Sequence, residues 1–423
     1  MKYRLTNARI WSPDRKDVLK GDVLVADGVI VGVGTTDESF VADRTVDFEN
    51  DLLIPGFVNA HAHSAMTVFR SIADDLSLQD WLYTRIFPLE EKLTVKLVYY
   101  GTYLSILEMV RSGITTCGDM YFFPEEAQKA YDSAGFRARL ILATSDAASN
   151  PKTAMERAVA TFDQLEEKSA LATPMAGLHA EYTCSEPLLC AMCDFALSKD
   201  LPFQIHMSET LTEVGECVSR HGMTPPMFFH KLGIFDIEHC SVAHAVHLDK
   251  EDVALMAECG VFPVHNPSSN LKLASGIAPI HSMLNKGIPV ALGTDGAASN
   301  NSLNFFKEMF LATALQKCVL HDAAIVSAEE VLKMATENGA RALGYSDVGL
   351  VKEGYRADLV RINTRLPNFL PDHNAVKNLV YSANPENVKM TMIDGKIVYE
   401  NGVYHTGKSL EEVSAKLGEI LNF

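Results

Sequence analysis

The stretch Leu52 to Ser64, LLIPGFVNAHAHS, constrains this chain more than any other, because a short apolar run ends in two histidines one residue apart. Side chains two apart on a β-strand point the same way, so His61 and His63 project together past the end of that strand. Two imidazoles held side by side are half of a metal site. A lone His-x-His pair also arises by chance on surface strands. Here, however, further polar residues end strand-like runs one after another: His179 in GLHAEYT, His206 in PFQIHMSET, His244 in SVAHAVHL, His265 in VFPVHNPSSNLK and Asp295 in PVALGTDGAASNN. A single buried histidine is commonly a satisfied core residue, but a whole series left unpaired would cost ~1–3 kcal/mol each. The series predicts one shared site.

Between residues 51 and 350 apolar strand-like runs alternate with helical patterns. Thr94 to Arg111 has helical periodicity, stops at Gly113 and is followed by strand-like ITTCGDM; Leu188 to Ser198 is helical and is followed by PFQIHMS. Many such units predict a parallel sheet, most simply a (β/α)8 TIM barrel over 51–350, in which chemistry sits where the strands end. The two ends of the chain read differently. YRLTNARIWS, GDVLVADGVIVGVG, ADLVRIN and VKMTMIDGKIVYENGVY are short strands, with Asp27-Gly28, Asp394-Gly395 and Asn401-Gly402 as hairpin turns. Residues 1–50 and 351–423 are therefore expected to form one composite β-sandwich domain.

Composition excludes several function classes. The formal net charge of −17 repels a nucleic-acid backbone or an anionic membrane, and no basic cluster offsets it. No run approaches the ~18 apolar residues of a membrane span, and MKYRLTNARIW lacks a signal-peptide pattern; a cytoplasmic location is expected. The eight cysteines lie mostly in apolar segments and read as reduced core residues. The Cys190/Cys193 pair has no second CxxC to complete a zinc quartet, so packing is its expected role.

Three neutral imidazoles, one carboxylate and an open position for water suit Zn²⁺ or Fe²⁺ acting on a polar substrate. The expected ligands are His61, His63, His206 and Asp295. A metal there would lower the pKa of a bound water toward ~7. Glu209, three residues past His206, is placed to carry a proton between that water and the substrate.

These residues at this spacing resemble the amidohydrolase superfamily, through PGFVNAHAH, IHMSET, AHAVHL, HNPSSNLKL and LGTDGAASNN in order. The fourth strand offers His179 where binuclear members carry a metal-bridging lysine, so the resemblance implies a mononuclear site. Within the superfamily the chain looks like the deaminases of 5′-methylthioadenosine and S-adenosylhomocysteine, through SAMTVFRSIADDLSLQDWLYTRIFPLEEKL, DMYF, YTCS, SNLKLASGIAP and GTDGAASNNSLNFFKEM. That resemblance assigns His244 to orienting the attacking hydroxide, Glu209 to protonating the ring nitrogen beside the reacting carbon, and Asp295 to accepting a proton from the water as well as binding metal. It also implies a homo-oligomer. Trp81 and Glu90 fall where the family contacts the nucleoside: an indole offers an apolar face to a purine, and a carboxylate accepts hydrogen bonds from a vicinal diol. Glu91 follows Glu90 and the sequence does not choose between them. Trp81 equally suits a hydrophobic anchor of its helix, and His179 could touch sugar or base. His247 and His265 are left as supporting or structural residues.

Two positions depart from the family pattern. LHAEYTCS stands where members often read PHSPYTCS, which adds Glu181 near the pocket, and Leu142 and Ala143 stand where an arginine often reaches a neighbouring subunit's substrate. The expected activity is hydrolytic deamination of an adenosine derivative (5′-methylthioadenosine or S-adenosylhomocysteine, with adenosine and 5′-deoxyadenosine as further candidates). The alternative is a related mononuclear enzyme deaminating or dechlorinating guanine, a pterin, a pyrimidine or a triazine. A non-catalytic barrel would show damaged ligands or lack Glu209, and neither is seen. The HxE…PCxxC signature of nucleic-acid deaminases is absent.

Overall fold

The computed structural model describes residues 1–35, 37–166 and 168–421. Five strands open the chain: β1 (Lys2–Ile10), β2 (Leu19–Ala26), β3 (Val29–Thr35), β4 (Arg44–Asp47) and β5 (Leu52–Pro55). Eight follow in the middle: β6 (Phe57–Ala62), β7 (Ile114–Tyr121), β8 (Arg137–Leu142), β9 (Ala172–Ala180), β10 (Phe203–Met207), β11 (Cys240–His244), β12 (Phe262–His265) and β13 (Ala291–Leu292). Four close the chain: β14 (Leu359–Ile362), β15 (Val388–Ile393), β16 (Lys396–Glu400) and β17 (Val403–Tyr404).

Strands β6 to β13 pair in sequence order, each parallel to the next. Helices cross over between them, which is the expected (β/α)8 barrel. β13 is regular for two residues only, and the ring closes beyond it: the amides of Thr294 and Asp295 donate to the His61 carbonyl at 3.2 and 3.0 Å. Asn59 reinforces this seam, accepting the Thr294 N–H at 2.9 Å and donating to its hydroxyl at 2.8 Å. Val58, Ala60, Met120, Ile141, Met175, Val264 and Ala291 fill the barrel interior, with Ala340, Ala342 and Leu343 packed against them. A larger apolar layer packs the outer faces of the strands against the helices.

The strands from the two ends form a single mixed sheet with its own core. β5 belongs to it, pairing with β1 and β14, so the barrel's first strand begins only after Gly56. Gly56 marks the crossing because a Cβ there would lie 2.1 Å from the Thr115 hydroxyl. The turn signals hold: Asp27-Gly28, Asp394-Gly395 and Asn401-Gly402 all take positive φ at both positions, the geometry of tight hairpins.

Sheet and barrel are joined by a buried ion pair. Arg137, at the start of β8, grips Asp358, just before β14, through two hydrogen bonds of 2.7 and 3.1 Å. Both side chains are almost fully buried. Removing one partner strands the other charge, so Asp358→Ala should cost ~3–5 kcal/mol in urea unfolding. The double variant Arg137→Met, Asp358→Ala should lose less; equal losses would show that packing rather than pairing matters here.

Candidate metal centre and active site

His61 lies one position before the end of β6, His63 immediately follows that strand, and His206 lies one position before the end of β10. Their rings meet: centroids are 4.8 Å apart for His61–His63 and His61–His206, and 5.4 Å for His63–His206. Each Nδ1 is committed outward. His61 Nδ1 lies 2.7 Å from the Gln204 side-chain oxygen, His63 Nδ1 faces the Met120 carbonyl, and His206 Nδ1 is 2.6 Å from the His179 carbonyl. Gln204 presents oxygen and not nitrogen to His61 because its amide NH2 already donates to Ala60 O and Ser241 Oγ, both at 3.0 Å. Carbonyl oxygens only accept, so all three rings carry a proton on Nδ1 and turn Nε2 inward. Nε2 of His61 is buried with no hydrogen-bond partner in the protein.

Asp295 completes the cluster. One carboxylate oxygen lies 3.1 Å from His63 Nε2 and 3.6 Å from His61 Nε2; the other accepts hydroxyl hydrogen bonds from Ser269 and Ser299. Burial drives the His61 pKa down to about 4, and burial with the neighbouring imidazoles holds His206 well below the usual range, so both are neutral. Burial also opposes charge on His63, yet the hydrogen bond and charge of Asp295 raise it to about 9. The pocket thus holds a buried carboxylate that draws positive charge to itself, and an orphaned imidazole nitrogen aimed at the same point. A divalent cation answers both demands, and three imidazoles with one carboxylate is a donor set that suits it.

His244 approaches from β11. Its ring is 5.5 Å from His206, and its Nδ1 is held at 2.8 Å by Asn270. The ligand atoms of His61, His63 and His206 lie within 4.8 Å of one another, and so do those of His61, His244 and Asp295. Glu209 is buried in the loop after β10. One of its oxygens accepts from Ser275 at 2.9 Å and the other is 3.8 Å from His244 Nε2.

The remaining candidates separate. Glu90 turns inward and accepts from Tyr121 at 2.9 Å, while Glu91 is exposed. Burial raises the Glu90 carboxyl to about 7, against the pull of Tyr121 and His63. His179 lies beside the cluster, 5.0 Å from the His206 ring, with Nδ1 2.9 Å from Thr183 Oγ1. Trp81 is buried in the main apolar layer with its indole N–H unpartnered. Glu181 brings no free acid to the pocket, because Arg220 and His221 engage both its oxygens. Leu142 is buried at the end of β8 opposite Tyr121. His247 binds the Ser275 carbonyl, and His265 is fully buried. Cys190 and Cys193 sit on the helix Glu186–Lys199 as free thiols.

The amidohydrolase family model matches residues 52–398, which spans the whole barrel and reaches into the terminal sheet. The chain belongs to the amidohydrolase family. Among its relatives, a 5-methylthioadenosine/S-adenosylhomocysteine deaminase of Acetivibrio thermocellus is 42% identical over 95% of this chain and 94% of its own. That of Pyrococcus furiosus is 40% identical over 95% and 96%. An adenosine deaminase structure from Xanthomonas campestris with bound zinc superposes with a TM-score of 0.94 at 33% identity, covering 99% of this chain and 98% of its own. Atrazine chlorohydrolase of Arthrobacter aurescens, at 23% identity and a TM-score of 0.92, shares the fold. The His-rich cluster of this amidohydrolase is a divalent-metal site.

Sequence reading passes over Gln204, Asn270, Ser275 and Glu213. Gln204 had a signal, since it stands two residues before His206 and so shares its strand face; the others come from loops and helices whose partners only the fold reveals. Gln204 fixes the His61 tautomer, and groups of this kind are worth ~10–100-fold in metal affinity. Gln204→Leu should weaken zinc binding by about that factor in competition with a chromophoric chelator. Unchanged affinity would mean that the tautomer is set elsewhere.

Proposed function

We propose that this amidohydrolase is a zinc-dependent hydrolytic deaminase of adenosine nucleosides altered at the 5′ position, 5′-methylthioadenosine and S-adenosylhomocysteine above all. The observation that carries the reading is Glu209, a buried carboxylate held between Ser275 and His244 at the edge of the imidazole cluster. The names of the relatives supply the nucleoside class, and the zinc in the Xanthomonas campestris structure favours zinc over iron.

In this reading His61, His63, His206 and Asp295 hold the cation. When bound, it supplies Lewis acidity and brings a water's pKa toward ~7. His244, its ring fixed by Asn270, orients the attacking oxygen toward the amidine carbon of the purine. Asp295 takes up a proton from the water as the new C–O bond forms. Glu209 delivers a proton to the adjacent ring nitrogen, which relieves the negative charge there. Asp295 returns its proton to the amino group as the C–N bond breaks, so that ammonia leaves, and the hydroxyl proton of the adduct restores Glu209, giving the inosine analogue. Glu90, when ionised, accepts hydrogen bonds from the ribose hydroxyls; His179 and Trp81 flank the nucleoside.

His206→Ala should abolish zinc retention, measured by elemental analysis after dialysis. Glu209→Gln should keep its zinc and lose roughly 10²–10⁴-fold in turnover; retained turnover would sink the role given to Glu209. Substrate class is tested by ammonia release from adenosine, 5′-methylthioadenosine, S-adenosylhomocysteine, 5′-deoxyadenosine, guanine, cytosine and a chlorotriazine. Turnover confined to the adenosines is expected. Activity only on a free base or triazine would discard the roles of Trp81 and Glu90.

A further inference from the structure

We propose that Glu213 positions the proton carrier: its carboxylate grips the backbone from which Glu209 projects and, through Ser208, fixes the loop bearing His244. The inference rests on Glu209 being that carrier. Glu213 lies in the first turn of the helix Leu211–His221, capped by Thr210, whose hydroxyl accepts the Glu213 N–H at 3.1 Å. The side chain is buried and folds back toward the strand. One oxygen accepts the Ser208 N–H at 2.6 Å and the other the Glu209 N–H at 2.7 Å. Both are short, charge-assisted hydrogen bonds.

What they restrain is strained backbone. Ser208 has φ +54°, a left-handed conformation that a residue bearing a side chain adopts at a cost. The Ser208 carbonyl in turn accepts the N–H groups of Val246 and His247, at 3.0 and 2.9 Å. Just before these lie His244 and Ala245, with φ +76° and +47°. One buried carboxylate therefore secures two irregular loops whose side chains meet at the 3.8 Å approach of Glu209 to His244. A buried carboxylate is costly to hold, and burial raises this one to about 7. An apolar residue would fill the space but would leave both amides free.

Glutamine has the same size but one oxygen, and its NH2 would face an N–H donor. Glu213→Gln should therefore displace Glu209 without touching substrate or metal. The expected result is a kcat lower by ~30–100-fold, the scale of a misplacement of about 1 Å. KM should stay within about twofold and zinc should be retained. In the Glu209→Gln background the same substitution should cost much less than in the wild type, leaving only what the His244 loop contributes, read from residual ammonia release over hours, because Glu213 acts mainly through Glu209. Wild-type kcat in Glu213→Gln, or losses that multiply in the double variant, would overturn the proposal. So would a loss explained by missing zinc or by unfolding, which would make Glu213 a folding residue. Full turnover in Glu209→Gln alone would overturn the role of Glu209 itself, whereas a dead Glu209→Gln beside a normal Glu213→Gln overturns only the positioning.

Discussion

The architecture depends on how the barrel closes. β13 supplies two regular residues, too few for a ladder, so the last strand reaches the first through Asn59 and the His61 carbonyl. That junction also builds the site, because the carbonyl that accepts Thr294 and Asp295 belongs to one metal-facing residue and the amide of Asp295 to another. Gly293 is required where the strands converge: a Cβ would stand 2.3 Å from the Asn266 side chain and 2.8 Å from the His61 carbonyl. The chain then turns through positive φ at Asp295, which swings its carboxylate against His63. Barrel closure and ligand geometry are set by the same few hydrogen bonds.

The electrostatics follow from which acceptors the protein places behind each imidazole. Gln204, Met120 O and His179 O are neutral, so they set tautomers without adding charge. Asp295 is the carboxylate that faces the cluster directly, and its second oxygen is steadied by Ser269 and Ser299. Glu209 stands further out, beyond His244. In the proposed mechanism both acids handle protons, but Asp295, against the imidazoles, also balances the cation, whereas Glu209 serves the ring nitrogen.

Much of this was legible in the sequence because it rests on local signals. The Asp-Gly and Asn-Gly hairpins, the helical periodicity of Thr94 to Arg111 and the polar residues ending apolar runs each report through neighbours in the chain. Long-range choices carry no such trace. Nothing near Leu52 tells it to pair with β1 and β14 instead of opening the barrel. Glu90 and Glu91 differ only in which one the segment Leu78–Glu90 turns toward Tyr121. Glu181 looks like an added acid until Arg220 and His221, about forty residues later, are seen to neutralise it. Trp81 fits an apolar anchor and a purine platform equally well, because the sequence pattern of both is the same.

A recurring device holds the loops around the mouth: a buried polar side chain accepts backbone N–H groups next to a functional residue. Asp119 takes the Ser64 N–H, just after His63, at 2.8 Å. Asn59 takes that of Thr294, just before Asp295, and Glu308 takes that of Ser268, beside Ser269. Glu213 takes two at once. Each group costs desolvation that an apolar residue would avoid, and three of the four are carboxylates in a chain already at −17. Stability alone does not favour such residues. What they provide is a backbone that cannot relax when charge develops, and a rigid array of dipoles is what stabilises a charged transition state without reorganisation. The loops at this mouth are therefore better described as pinned than as open, with their irregular φ values maintained by the same groups that place the chemistry.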